Sequence, residues 1–442
     1  MPSRPIKALI VISCMLILPI NLHAQSATEQ DTLHLSVEQL FERASRQHLQ
    51  LAADRLKEQM ADERKQTARA TRLPEISIGL KGGFLGQPII WKNGLSNATH
   101  PESPDWQQNY AIDFNQPLYQ GGRIRYAVRQ ADLQKELAQL QTCADQADIR
   151  LSLLEQYLNL FTLYKQCLVL NRNIEESERR LKDIRRMKSE GIITNNDVLR
   201  SEMQLTNDRL AVKETQNNIR IVSQQLDILL GLDEHLMLIP DTTLLAREYH
   251  TTGYADYVNR ALSSDPSMLL LHKQTELAEN NVRLTRAEQL PQLSLTASNT
   301  LARPVSRTLA DMYNNSWNIG LSFSYPISSI YRNRHRIKEA RQNILLMRNA
   351  EEQKQQHIRM NVQTALLKHN EATDRVEALK LSVRQAEENY RIMRNRYMNQ
   401  LAILTDLLDA ENLRLNAELQ LTEARTQAVY TYYQLQRAAG AL

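Results

Sequence analysis

Few residues of this chain have the types and spacing that chemistry requires. The sequence holds 10 histidines and 3 cysteines. It contains no HExxH, HxH, CxxC, GxSxG or P-loop, the arrangements that hold a metal, activate a nucleophile or cradle a phosphate. Cys143 and Cys167 lie 24 residues apart in what reads as one helix, a separation of about 36 Å and too long for a disulfide. They read as packing residues. The phrase "TDLLDA" places Asp406 and Asp409 three apart near the start of a predicted helix, where they share a face. Acids there are also favoured by the helix dipole, so spacing alone leaves open whether they cap the helix or do more. A basic run, Arg179, Arg180, Lys182, Arg185, Arg186 and Lys188, reads first as a solvated helix face and second as a surface for a partner. No catalytic residue, cofactor or metal follows from any of these, and an enzyme is the least supported class.

The elements that position these residues come from a chain of 442 residues with 42% hydrophobic but only 5% aromatic content and 12 glycines. That balance suits long helices. Basic and acidic residues, 54 and 50, are interspersed, and no nucleic-acid partner is implied. Residues 1–24 read as a secretory signal peptide: Arg4 and Lys7 precede "ALIVISCMLILPI", and the segment ends at Ala24. The competing reading makes Cys14 a lipidated residue, but it uses only Ala8 to Ser13 as apolar region and leaves "MLILPI" without a role. No later run approaches the roughly 20 apolar residues that cross a bilayer as a helix.

The remaining chain repeats itself. Val37 to Ile78 aligns with Tyr254 to Leu295 at a constant offset of 217, and Phe114 to Gly231 aligns with Phe323 to Gly440 at a constant offset of 209. The first block matches Arg43 with Arg260, Ala61 with Ala278 and Pro74 with Pro291; the second matches Pro117 with Pro326, Asp197 with Asp406 and Gly231 with Gly440. The domain reading is therefore 25–231 as a first repeat, 232–253 as a linker and 254–442 as a second repeat.

Each repeat changes period at its Leu-Pro pair, where proline disfavours helix in the preceding residue. Helical patterns over about 37–72 and 254–289 give way to alternation, predicting strands over about 75–84 and 108–118 and over about 292–298 and 316–327. Ile76, Ile78 and Leu80 alternate with Ser77, Gly79 and Lys81, and Trp317, Ile319, Leu321 and Phe323 alternate with Asn318, Gly320 and Ser322. Segments 85–107 and 298–315 read as loops. Long helices follow over about 124–189 and 333–398, each turning into a returning helix over about 197–231 and 405–439. Asp197 or Asn196 is placed to cap the first return. The fold class is mainly α with a small β part. Four strands cannot close a barrel; eight from two chains would close one filled by side chains, and twelve from three chains one with a lumen, the version that a polar inner face with small residues favours.

The helix end at "LPEISI", the phrase "QPLYQGGR" after the second strand, "LTDLLDAE" at the second tip, "LIPD" at 238 to 241 and the two-fold repetition together resemble the TolC-like outer-membrane efflux proteins. The resemblance spans essentially the whole chain after the signal peptide. It implies a homotrimer whose 12-stranded transmembrane β-barrel lies in the lipid of the Gram-negative outer membrane and continues as an α-helical barrel through the periplasm. It implies a passive export duct served by a periplasmic adaptor and an inner-membrane transporter of RND, ABC or MFS type. By position, Asp406 and Asp409 are the carboxylate ring of the periplasmic gate. Tyr397 and Asp197 are the tip lock, and Gly191, Ile192 and Leu401 are the tip turns that meet the adaptor. The chain departs from the family pattern where Gln400 replaces a glycine and Ala402 replaces an arginine of the lock. The alternative class is a periplasmic coiled-coil scaffold without a pore, which predicts no membrane fractionation.

Overall fold

The computed structural model describes residues 32–102, 104–241, 244, 249–304 and 311–442; the signal-peptide reading, Cys14 included, lies outside them. In chain order the elements are β1 (Thr32–Leu35), α1 (Val37–Gln47), α2 (Leu49–Ala70), β2 (Glu75–Phe84), β3 (Ile90–Asn93), β4 (Ser96–Thr99), β5 (Trp106–Gln120), α3 (Arg123–Ser189), α4 (Asn195–Leu230), β6 (Met237–Pro240), α5 (Tyr254–Ser264), α6 (Pro266–Ala287), β7 (Gln292–Arg303), β8 (Asn314–Ser324), α7 (Ser328–Met398) and α8 (Leu404–Ala438). Helices α3 and α7, of 67 and 71 residues, are each about 100 Å long.

Two expected helices are corrected. Neither 37–72 nor 254–289 is continuous: His48 and Asp265, equivalent under the repeat, both take extended backbone (ψ 124° and 118°). Pro266 forces the second break by excluding helix from the residue before it. The first has no proline, and His48 Nδ1 instead accepts from Gln50 N at 3.3 Å. Each break receives the glycine that ends the returning helix. Gly440 (φ 69°) lies so close that a Cβ there would come within 2.8 Å of Asp265 N, and Gly231 (φ 63°) abuts Gln47. The segment expected as an outer loop, 85–107, contains the hairpin β3–β4, and β5 and β7 run longer than their patterns predicted.

The chain is a layer four elements wide at every level. The strand order is β2-β5-β7-β8, all antiparallel. Below it α2, α3, α6 and α7 pack in that order, and farther from the sheet the order is α4, α3, α8, α7. At the change of level a small parallel pair, β1 with β6, covers the main core of Leu40, Leu154, Tyr157, Leu226 and Leu230. Tyr157 Oη ties this belt together by donating to Leu35 O and accepting from Asp241 N, both at 2.8 Å.

Register sorts the sheet into two faces. Ile76 pairs with Phe114, Phe114 with Ala297, and Ala297 with Ile319; Ile78 pairs with Ile112, and Leu295 with Leu321. One pleat further along, Ser77, Asp113, Ser298 and Asn318 form a polar row, and Gly79, Ala111, Thr300 and Ser316 another. One face is thus apolar and exposed, with Trp317 73% and Ile319 68% accessible, while the other is lined by small and hydroxyl side chains. Candidate membrane-spanning helices are absent among the described residues.

Candidate functional site at the helical tip

The two tips are built alike. At the end of α3, Ile192 N donates to Met187 O and Gly191 N to Lys188 O, both at 2.9 Å; at the end of α7, Leu401 N donates to Arg396 O at 2.8 Å and Gln400 N to Tyr397 O at 2.9 Å. These paired bonds require a left-handed residue just past the helix end. Gly191 (φ 73°) supplies it without strain, whereas Gln400 adopts φ 61° despite its side chain. Ile192, Leu401 and Ile403 are left exposed at the extreme end.

The returning helices start with acids in equivalent places. Thr194, not Asn196 or Asp197, is the N-cap of α4, and Asp197 sits three residues in, accepting from Thr194 N (3.1 Å) and Thr194 Oγ1 (2.8 Å). Asp406 does the same for α8, accepting from Ile403 N at 3.4 Å. Asp406 and Asp409 are both exposed on one side of α8.

Tyr397 is 5% accessible and packs with Leu181, Ile184, Val198, Leu404 and Leu407 in the tip core. Burial, and then the Asp197 charge, push its hydroxyl pKa up, so the two expected lock residues are neighbours. No hydrogen bond joins them: among the described residues Tyr397 Oη has no partner, because Asp197 is engaged in capping its own helix. The basic run is also mostly committed. Arg179 pairs with Glu175, Arg185 with Glu202 and Arg186 with Glu190, and Lys188 donates to Asn195 at 2.5 Å. Arg180 faces inward.

Around Arg180 lies a buried polar network that the sequence reading did not identify. Arg180 Nη1 pairs with Glu411 Oε1 at 2.5 Å, with side-chain accessibilities of 8% and 1%. Arg180 Nη2 donates to Ser177 Oγ (2.9 Å), which donates to Asp208 Oδ2 (2.9 Å). Arg414 Nη2 donates to Glu176 Oε2 at 2.6 Å, and its guanidinium stacks on the Tyr390 ring at 4.3 Å. Arg172 pairs with Glu418. The network joins α3 and α4 to α7 and α8. Burial pushes the Glu411 pKa up, and the Arg180 charge only partly offsets this. A signal existed: Asn173, Ser177, Arg180, Ile184 and Met187 on α3, and Leu404, Leu407, Glu411, Arg414 and Glu418 on α8, advance by three and four residues, so polar side chains occupy core positions of the heptad. Among the described residues no group of three or more His, Cys, Asp or Glu side chains is arranged to hold a metal ion.

A family model described as outer membrane efflux protein matches residues 40–232 and 257–441. The chain is 23% identical over 408 residues to Outer membrane protein TolC of Escherichia coli (strain K12), covering 88% of this chain and 78% of the relative. The fold matches the outer membrane protein VceC of Vibrio cholerae with a TM-score of 0.74 at 18% identity, covering 91% of this chain and 96% of that one. It matches the open state of the MtrE outer membrane channel of Neisseria gonorrhoeae with a TM-score of 0.71 at 16% identity, covering 91% and 88%. The chain belongs to the outer membrane efflux protein family, and it is a channel protein of the Gram-negative outer membrane, reaching into the periplasm, not an enzyme.

Proposed function

We propose that three copies of the chain close into one passive export duct, a twelve-stranded barrel in the outer membrane continued by a helical barrel in the periplasm. The observation that carries this reading is that, among the described residues, both edges of the layer are unpartnered. One edge is β2, α2 and α4; the other is β8 and α7. The helical edges carry exposed apolar side chains, Leu49, Leu56 and Met60 on α2, Leu199, Met203 and Leu210 on α4, and Leu345, Met360 and Leu367 on α7. Two different edges that fit each other make a head-to-tail contact, and such contacts close into a ring when the rotation permits. Strand direction agrees: β2 and β8 run oppositely across the sheet, so β8 of one copy meets β2 of the next as an antiparallel pair. The apolar face then meets lipid and the Ser/Thr/Asn face lines the lumen.

In this duct Asp406 and Asp409 of three chains ring the periplasmic mouth and favour cations over anions. Tyr397 and Asp197 hold the tip shut, with the Tyr397 ring acting by packing. Gly191, Ile192 and Leu401 present the exposed ends to a periplasmic adaptor, which joins the duct to an inner-membrane transporter of RND, ABC or MFS type. Conductance of the purified protein in a planar lipid bilayer tests the reading: discrete cation-selective steps are expected, and Asp406→Asn with Asp409→Asn is expected to abolish the selectivity. A protein that never conducts contradicts the duct, and one that also fails to fractionate with membranes favours a scaffold.

A further inference from the structure

We propose that Arg69, Arg125, Arg286 and Arg334 form a collar that binds the phosphates of anionic phospholipid headgroups at the periplasmic surface of the outer membrane; this rests on the reading of the sheet as part of a membrane barrel. Each of the four helices that meet the sheet supplies one arginine. Arg69 and Arg286 are the last residues but one of α2 and α6, Arg125 is the third residue of α3, and Arg334 is the seventh of α7. At 1.5 Å per residue, all four lie within about 10 Å of the helix ends that join the strands. That matches a headgroup layer, about 5–8 Å on either side of the hydrocarbon. The internal repeat carries them twice. Arg69 falls on Arg286 at the offset of 217, and Arg125 falls on Arg334 at the offset of 209.

Helix phase sets the side they face. A hollow beneath the sheet is lined by Thr67, Asn115, Arg123, Leu284 and Glu288. Asn115 pairs with Glu75 and Thr296, so the hollow lies on the side of the polar sheet face. Arg69, Arg125 and Arg286 each follow a lining residue, Thr67, Arg123 or Leu284, by two positions. Two positions are about 200° around a helix, which turns these three arginines to the side of the apolar face. On α7, Asn333 is buried and donates to Glu288. Arg332 and Arg336 fall on the hollow side of it, Arg336 pairing with Glu288 at 2.7 Å, and Arg334 lies about 100° away in the opposite sense. All four collar arginines are exposed.

Charge on this outer side changes with distance from the sheet. Farther away the cations are paired: Lys65 with Asp132 at 2.5 Å, Arg129 with Glu276 at 3.2 Å and Arg348 with Glu279 at 3.4 Å. Next to the sheet, none of the four arginines makes an ion pair among the described residues. The only acids in 66–75, 121–129, 283–291 and 325–341 are Glu75, Glu288 and Glu339. The first two line the hollow, and Glu339 follows Arg332 by two turns and shares its side. Where the apolar face ends, the outer side therefore carries cations without acids. A guanidinium there offers two parallel hydrogen bonds to a phosphate while its stem lies along acyl chains.

The test is lipid selectivity of the reconstituted protein. Wild type is placed in phosphatidylcholine vesicles with a trace of spin-labelled phosphatidylglycerol or spin-labelled phosphatidylcholine, and the immobilised fraction of each label is measured. Wild type is expected to prefer the anionic label about fivefold, less in high salt. Replacing all four collar arginines with glutamine should bring the ratio to about one. Arg286→Gln/Arg334→Gln, which keeps the first repeat's pair, serves if the fourfold change prevents assembly, and should give a ratio of about two. Arg123→Gln/Arg332→Gln changes arginines at the same level but on the hollow side, and should leave the preference intact. A wild type without preference would overturn the collar and leave this surface to an acidic protein. Collar variants that keep the preference, or hollow-side variants that lose it equally, would overturn it as well. Wild-type protein that immobilises neither label would overturn the barrel reading instead, a distinguishable outcome.

Discussion

The strand faces give a sharp prediction because adjacent residues should respond oppositely to the same change. Ile319 is the middle residue of the eleven in β8. At about 3.3 Å per residue and a tilt near 40°, eleven residues rise roughly 27 Å, close to the apolar band of a barrel. Ile319 therefore lies near the bilayer midplane, on the face it shares with Ile76, Phe114 and Ala297. Arginine there costs about 2–4 kcal/mol per chain, and three copies in one barrel incur it together. Asn318 lies on the other face, where it donates to Ser298 Oγ at 2.9 Å in the row that contains Asp113. Asn318→Arg loses that one bond, about 1 kcal/mol, and reaches water in the lumen. The assay is urea unfolding after reconstitution into lipid vesicles, alongside the yield of trimer. Ile319→Arg should lower the unfolding midpoint strongly and Asn318→Arg hardly at all. Equal effects, or a larger one at Asn318, would refute the assignment of faces.

Three further outcomes follow. Tyr397→Phe should leave tip closure unchanged or slightly firmer, because the lost hydroxyl has no partner, while Tyr397→Ala should cost about 3–5 kcal/mol through the cavity left in the tip core; bilayer leak and thermal midpoint read both. Gln400→Gly should raise stability by about 1 kcal/mol by relieving the left-handed conformation, measured as a urea midpoint. Asp227, fully buried with neither carboxylate oxygen bonded among the described residues, has its pKa pushed up to about 6 by burial, with Asp233 adding to it. A raised carboxyl pKa favours the protonated fold, so its contribution is complete below about pH 4 and is lost as pH rises through about 6. Asp227→Asn should thus match wild type at pH 4 and be more stable at pH 8, by up to about 3 kcal/mol; a variant less stable at pH 8 would contradict this.

Much of the fold was legible because its signals are local. The Leu-Pro pair stops a helix wherever it stands, and alternation along β8 shows two faces without reference to any neighbour. The break at Asp265 was written as Pro266, but the equivalent break at His48 has no local mark and follows from the Gly231 end of α4 packing against it. The hairpin β3–β4 was hidden because its strands are four residues each, too short for a period to register. At the tip, positional equivalence placed Tyr397 and Asp197 in one neighbourhood, and the capping expected of Asp197 is met in kind but not in place, since the carboxylate serves its own helix from the third residue of α4 and Thr194 is the N-cap. The Arg180 network needed three helices in register before its charges could be seen to meet, although the polar intrusions into the heptads of α3, α4 and α8 marked where to look.

The central claim is that the chain is one third of a closed duct, and the mass of the detergent-extracted particle tests it most directly. Light scattering corrected for bound detergent should give three chains per particle. A monomer or dimer that stays soluble without detergent would contradict the account.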